Sequence, residues 1–425
     1  MTSFILKGDI CHSIAPQALQ TVQNAYLVCI DGQSAGIFQT LPEQYKGLPL
    51  VDYSKHLILP GLTDLHIHAP QFGFRALGMD LELIDWLNTH TFPEEARYAD
   101  LAYADGAYKS FVQDLRQGPT TRANIFATRH VPATIRLMDL LEHSGLITMV
   151  GKVNMDRNAP APLKEQDAST SLADTQTWLT EVNGRYSRTA PILTPRFIPA
   201  CSDELMAGLG QLQLQWNLPV QSHLSENKQE ITWVKDLVPE AESYAHAYYQ
   251  HGLFGGNVPT VMAHCVWPDK EELTLMQAQK IWVAHCPQSN MNLSSGIAPI
   301  RKFLNLGIPV GLGSDVAGGV HTSIFRAISD AIAVSKLYWR LMDQTTKPLT
   351  LEEAFYLATR GGGGFFGKVG SFQAGYDLDA LIIDDSTLTP PRESLPLPDR
   401  LARVIYLSDN RHIQKKYVQG MELAL

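Results

Sequence analysis

The stretch LPGLTDLHIHAPQ, residues 59–71, sets His66 and His68 two apart at the end of an apolar run. Side chains on a strand alternate between faces, so a His-x-His pair aims both rings the same way. Two packed core histidines would give the same pattern, and the surroundings decide between the readings. From about residue 56 the chain repeats a short apolar strand ending in polar residues, followed by a stretch with helical periodicity. The candidate strands end in ILPGLTDLHIH, TTRANIFATRH, LITMVGKVNM, PILTPRFIP, LPVQSHLSE, TVMAHCVW, KIWVAHCPQSN and IPVGLGSDVAGG. Eight such units predict an α/β fold, a (β/α)8 TIM-type barrel, whose strand C-terminal ends carry function.

Between the strands, DELMAGLGQLQLQWN reads as a helix capped by Ser202, and TSIFRAISDAIAVSKLYWRL as one starting after Thr322. The flanks differ. FILKGDI and AYLVCIDGQSAGIF near the N-terminus, and LDALIID, RVIYL and KKYVQGMEL near the C-terminus, all read as short strands. Neither end supplies enough strands to bury a face alone, so the two are expected to meet in one small β-sandwich domain. The predicted division is residues 1–58 with 372–425 for that domain and 59–371 for the barrel. The glycine run in ATRGGGGFFG, residues 358–367, follows a helical segment rather than a strand, which favours a helix end over a phosphate loop.

The chain has 425 residues, 45% apolar and 18% charged, an ordinary globular composition. Its 34 basic and 43 acidic residues give a net charge of −9 with no Lys/Arg cluster, so neither nucleic acid nor an anionic membrane is an expected partner. No run of about 18 apolar residues occurs and the first residues show no cleavable leader, which predicts a cytoplasmic protein. Five scattered cysteines without CxxC spacing argue against disulfides or a thiolate zinc site. Cys265 and Cys286, in AHC strings, read as small packed thiols.

His223 in QSHLSEN, His264 in VMAHCVW and Asp315 in GLGSDVAGG end other predicted strands. Histidines and a carboxylate at the mouth of one barrel suffice for a catalytic zinc ion with a position left for water. His285 also ends a strand, with a supporting or substrate-facing role expected. Glu226, three residues after His223, faces the same cavity if that segment turns helically; a solvated acid at a helix start is the plainer reading. Gln71 offers a donor and an acceptor on one amide, and Arg196 a planar fork suited to a carbonyl, or else to a surface ion pair.

Taken together, PGLTDLHIHAPQ, SHLSEN, AHC, HCPQSN with LSSG, and GLGSDVAGG resemble the amidohydrolase superfamily. WLNTHTFPEEARY and TPRFIPACS are similar to its branch that deaminates guanine, and the resemblance runs from about residue 56 to 370. It implies one zinc ion per subunit held by His66, His68, His223 and Asp315, with His264 hydrogen-bonding the attacking water more than ligating the metal. It further implies attack at C2 of guanine to give xanthine and ammonia, with Asp315 as base and Glu226 protonating ring N3. Gln71, Arg196 and Phe197 would contact the purine, and the protein would be a homodimer. No lysine ends the fourth strand, which disfavours a two-metal site bridged by a carboxylated lysine.

Other readings stay open on sequence alone. One is an amidohydrolase acting on another aminated ring, such as 8-oxoguanine, an adenine derivative, cytosine or a triazine. Another is a non-catalytic scaffold on the same fold. The small zinc deaminases with a PCxxC pair are excluded because no such motif exists here. Arg122 and Arg129 in TTRANIFATRH depart from the branch pattern and suggest an altered pocket wall or a salt bridge beneath it.

Overall fold

The computed structural model describes residues 3–388 and 395–424, so residues 1–2, 389–394 and 425 of the predicted terminal domain lie outside the described residues. Eight parallel strands carry the ends marked by the sequence: β1 (Leu62–His68), β2 (Thr120–Phe126), β3 (Ile147–Gly151), β4 (Thr189–Pro191), β5 (Val220–Leu224), β6 (Thr260–His264), β7 (Trp282–His285) and β8 (Val310–Leu312). β1 to β4 form one parallel sheet and β5 to β8 another. Leu193, just past β4, pairs with Val220 to join them at one seam. At the other, the Asp315 amide donates to the His66 carbonyl at 2.9 Å, and the His68 amide to the Val316 carbonyl at 3.2 Å. That seam sets the segment after β8 against the His-x-His pair. Parallel strands alternating with helices and joined at both seams have the connectivity of a TIM-type barrel.

Leu65, Ile192, Val261, Ala263, Ala284 and Cys286 pack together in one buried cluster. The larger core fills the space between strands and surrounding helices. The glycine run continues the helix Leu351–Tyr356 as further helical turns, as the sequence predicts. Its function is close packing: a Cβ on Gly311 of β8 would lie 2.7 Å from Gly362 Cα.

The chain termini do meet, but in a single hydrogen-bonded sheet of seven strands. Leu50–Pro60 pairs in parallel with Phe4–Ala15 and antiparallel with Ala380–Ile383, then leads through Gly61 into β1. One face of this sheet buries Leu6, Ile10, Leu27, Ile58, Ile382 and Tyr417 as a separate core. The sheet curls over that core: Phe4 and Tyr417 have ring centroids 5.3 Å apart, and the Leu378 amide reaches the Gly32 carbonyl at 2.9 Å. Its other face, with Leu57, Leu59, Leu381 and Ile383, packs into the larger core.

One local expectation changes. RVIYL is not a strand but the end of a helix, Leu397–Leu407, whose Leu397, Leu401, Val404 and Ile405 repeat with helical spacing and pack into the larger core. The helix expected after Thr322 is present as Ile324–Leu341, preceded by Ser323, and the Thr322 hydroxyl donates to Asp114 at 2.5 Å. Ser202 does cap Asp203–Trp216, accepting from the Leu205 amide at 3.2 Å. Among the described residues, no helix is long and apolar enough to cross a membrane.

Candidate active site

His66 and His68 project to one side of β1, as strand alternation requires, and meet His223 from β5 and Asp315 from beyond β8. Nε2 of His68 lies 3.2 Å from His66 Nε2 and 3.3 Å from His223 Nε2. Asp315 Oδ1 lies 3.1 Å and 3.5 Å from Nε2 of His66 and His68. Burial holds all three imidazoles below their ordinary pKa. The His223 ring donates through Nδ1 to the Arg196 carbonyl oxygen at 2.7 Å, which fixes its tautomer and turns the Nε2 lone pair inward. Imidazole nitrogens and a carboxylate converging on one point form a donor set that fits a zinc ion. Burial pushes Asp315 upward, but His66, His264 and His68 outweigh it and keep the group ionised.

His264 from β6 sits beside this set. Its Nε2 is 3.4 Å from Glu226 Oε2 and 3.7 Å from Asp315 Oδ2, while Nδ1 is 2.8 Å from Asn290 Oδ1. Although burial opposes its charging, Glu226 and Asp315 raise its pKa above the ordinary value. Glu226 accepts from the Ser295 hydroxyl at 3.0 Å, and burial pushes its carboxyl up to about 7. Glu226 does not reach the cavity by a helical turn. Ser225, at φ 47°, reverses the chain after β5, and Asn227 then caps the helix Lys228–Leu237. His264 and Asp315 also have positive φ, 72° and 47°, so three strand ends hold backbone that costs about 1–3 kcal/mol each.

Above these groups lies a cleft lined by His68, His223, Glu226 and Asp315 and walled by Leu83, Trp86, Leu87 and Leu293. Gln71, Arg196 and Phe197 line it as well. The Gln71 amide oxygen accepts from the Ala317 amide at 3.2 Å. Arg196 is buried, not a surface residue.

Several residues stand elsewhere. Both ring nitrogens of His285 are buried without a partner, and the ring lines a separate cavity with Ala331, Val334 and Tyr338 of the helix Ile324–Leu341, so it does not face the substrate cleft. Arg122 is no pocket wall: it pairs with Asp379 at 2.7 Å and Asp377 at 2.9 Å, fastening β2 to the segment that leads into the terminal sheet. Arg129 donates to the Pro162 carbonyl, the shorter bond being 3.0 Å. Lys152, after β3, is sequestered in a buried pair with Glu165 at 2.5 Å. Cys265 and Cys286 are buried thiols whose pKa burial pushes well upward.

Sequence reasoning missed Asp64, Glu95, Asn290 and Ser295. Asp64 Oδ1 accepts from the His66 and Ser314 amides, both at 3.1 Å, and Oδ2 accepts from the Ser314 hydroxyl at 2.6 Å, tying the segment that carries His66 to the one that carries Asp315. All four stand inside the quoted motifs, but only Asp64, an acid amid the apolar run LPGLTDLHI, carried a signal in the sequence.

The amidohydrolase family model matches residues 57–423. Guanine deaminase of Dictyostelium discoideum is 36% identical over 99% of this chain and 98% of its own length. Guanine deaminase of Escherichia coli is 36% identical over 87% of this chain and 83% of its own. The crystal structure of guanine deaminase from C. acetobutylicum with guanine bound in its active site superposes with a TM-score of 0.97, at 46% identity and covering 100% of both chains. The chain therefore belongs to the amidohydrolase family, among relatives that are guanine deaminases.

Proposed function

We propose that the protein catalyses the zinc-dependent hydrolytic deamination of guanine to xanthine and ammonia. The observation that carries this reading is the convergence of His66, His68, His223 and Asp315 beneath a cleft whose wall also holds Gln71 and Arg196. Guanine in the related C. acetobutylicum enzyme supports the choice of ring. One zinc ion per subunit, held by those four ligands, would supply Lewis acidity, lowering the pKa of a water from about 15.7 to about 7.

The remaining work falls to the chain. Asp315, ionised beside three imidazoles, accepts the proton of the attacking water. Glu226, with a carboxyl near neutrality, protonates ring N3 as oxygen bonds to C2. His264 faces both carboxylates and holds the water between them. Asp315 then passes the proton it took to the C2 amino group, Glu226 recovers a proton from the new C2 hydroxyl, and collapse to the carbonyl breaks the C2–N bond and releases ammonia. Arg196 and Gln71 orient the ring through its polar edge, and Phe197, Trp86 and Leu293 exclude bulk water.

We also propose that residues 59–371 form the catalytic barrel, that 1–58 with 372–425 form the accompanying composite domain, and that the protein is a cytoplasmic homodimer in purine metabolism. The substrate is tested by measuring ammonia release from guanine, 8-oxoguanine, adenine, cytosine and an aminotriazine. Guanine is expected to have the highest kcat/KM by at least about tenfold. Another ring in first place would overturn the assignment, and a zinc-loaded protein inert towards all of them would revive the scaffold reading.

A further inference from the structure

The cleft wall is backed by a carboxylate that no step above uses. Glu95, in the helix Phe92–Ala96, is buried and spans both recognition groups. Its Oε1 accepts from Gln71 Nε2 at 2.9 Å, and its Oε2 accepts from Arg196 Nη1 at 2.6 Å. The other end of the Gln71 amide accepts from the Ala317 backbone at 3.2 Å. A backbone N–H only donates, and a carboxylate paired with a guanidinium only accepts, so the amide has one permitted orientation. Phe92 of the same helix lies under the Arg196 guanidinium, 5.2 Å from it.

We propose that Glu95 is a specificity-determining positioning residue: by anchoring Gln71 and Arg196 together, it presents the fixed donor pattern that selects a purine with a C6 carbonyl. The proposal rests on the guanine reading above. After both bonds to Glu95 are made, Gln71 retains one N–H and Arg196 retains its remaining guanidinium N–H groups, so the wall offers donors to a ring acceptor. A glutamine at position 95 breaks this arrangement without changing its size. Its amide carries one oxygen for two donors, so one of them faces an NH2 group. Flipping Gln71 to relieve that contact only moves the conflict to the Ala317 N–H.

The test compares zinc-loaded wild type, Glu95→Gln and Glu95→Asp on guanine and on 2-aminopurine, which has the same leaving group but no carbonyl. In Glu95→Gln, KM for guanine is expected to rise about tenfold or more with kcat within about threefold. The guanine to 2-aminopurine ratio of kcat/KM is expected to fall by about tenfold with zinc content unchanged, while the melting temperature falls because Arg196 loses its buried ion-pair partner. Glu95→Asp keeps the charge beside Arg196 but has a shorter reach, so it should fold and show a smaller fall, of about threefold. An active wild type with both ratios unmoved, or variants that lose zinc and kcat together, would overturn the proposal. A wild type inert towards guanine would overturn the functional reading beneath it.

Discussion

Replacing Glu226 by Gln is expected to remove turnover and, in the metal-free protein, to raise stability at alkaline pH. The change is isosteric: the new amide oxygen can still accept from Ser295, and its NH2 can donate to the Nε2 of a neutral His264. What disappears is a proton carrier, and general acid–base groups contribute about 10²–10⁴-fold to a rate. The stability effect has its own sign. Burial raises the folded carboxyl to about 7 against 4.5 for the free group, so the folded state binds the extra proton between those values. Wild-type stability therefore falls as pH rises from 4.5 through about 7, by about 3 kcal/mol in all, since one unit is about 1.4 kcal/mol. Glutamine does not titrate. Denaturant unfolding in chelator should show the variant more stable by about 3 kcal/mol at pH 8 but by less than about 1 kcal/mol at pH 5. Turnover should drop by at least about 100-fold with zinc retained. A variant less stable than wild type at pH 8, or one keeping more than about a tenth of wild-type kcat, would refute the reasoning.

Further outcomes follow from single contacts. Asn290→Ala takes away the acceptor 2.8 Å from His264 Nδ1, so kcat should fall about tenfold at unchanged zinc content, as measured by steady-state kinetics and metal analysis. Arg122→Met strands the fully buried Asp379 without its ion-pair partner, and denaturant unfolding should show a loss of about 3–5 kcal/mol with little change in KM at 25 °C. Lys416 donates to the Leu115, Arg116 and Thr120 carbonyls, at 3.3, 2.6 and 3.0 Å, so Lys416→Met should cost about 2–4 kcal/mol by the same assay.

The clustering of His66, His68, His223 and Asp315 was legible because each is locally marked: a His or Asp at or just past the end of a predicted strand, repeated in units whose geometry brings strand ends together. Gln71 and Arg196 were legible for the same reason, standing within a few residues of such an end. What could not be read depends on distant partners. Nothing near Arg122 in sequence names Asp377 or Asp379, and nothing near Glu95 reveals that it holds Gln71 and Arg196 at once. RVIYL misled because five residues are too few to separate periods of two and 3.6; the helical spacing appears only when Leu397 and Leu401 are included. Glu226 was placed in the right cavity by the wrong path, since the left-handed Ser225 is not written in residue type. The termini were expected to pair, and do, but the curl that lets one sheet cover its own core brings Gly32 against Gln419, residues far apart in sequence.

The central claim is tested most directly by following the ultraviolet conversion of guanine to xanthine with the purified zinc-loaded protein, then after chelation, then after zinc is restored. The expected result is stoichiometric xanthine and ammonia, loss of turnover when the metal is removed, and recovery on adding zinc back. A zinc-loaded protein that leaves guanine unchanged, or turnover that persists once metal analysis finds the site stripped, would contradict it.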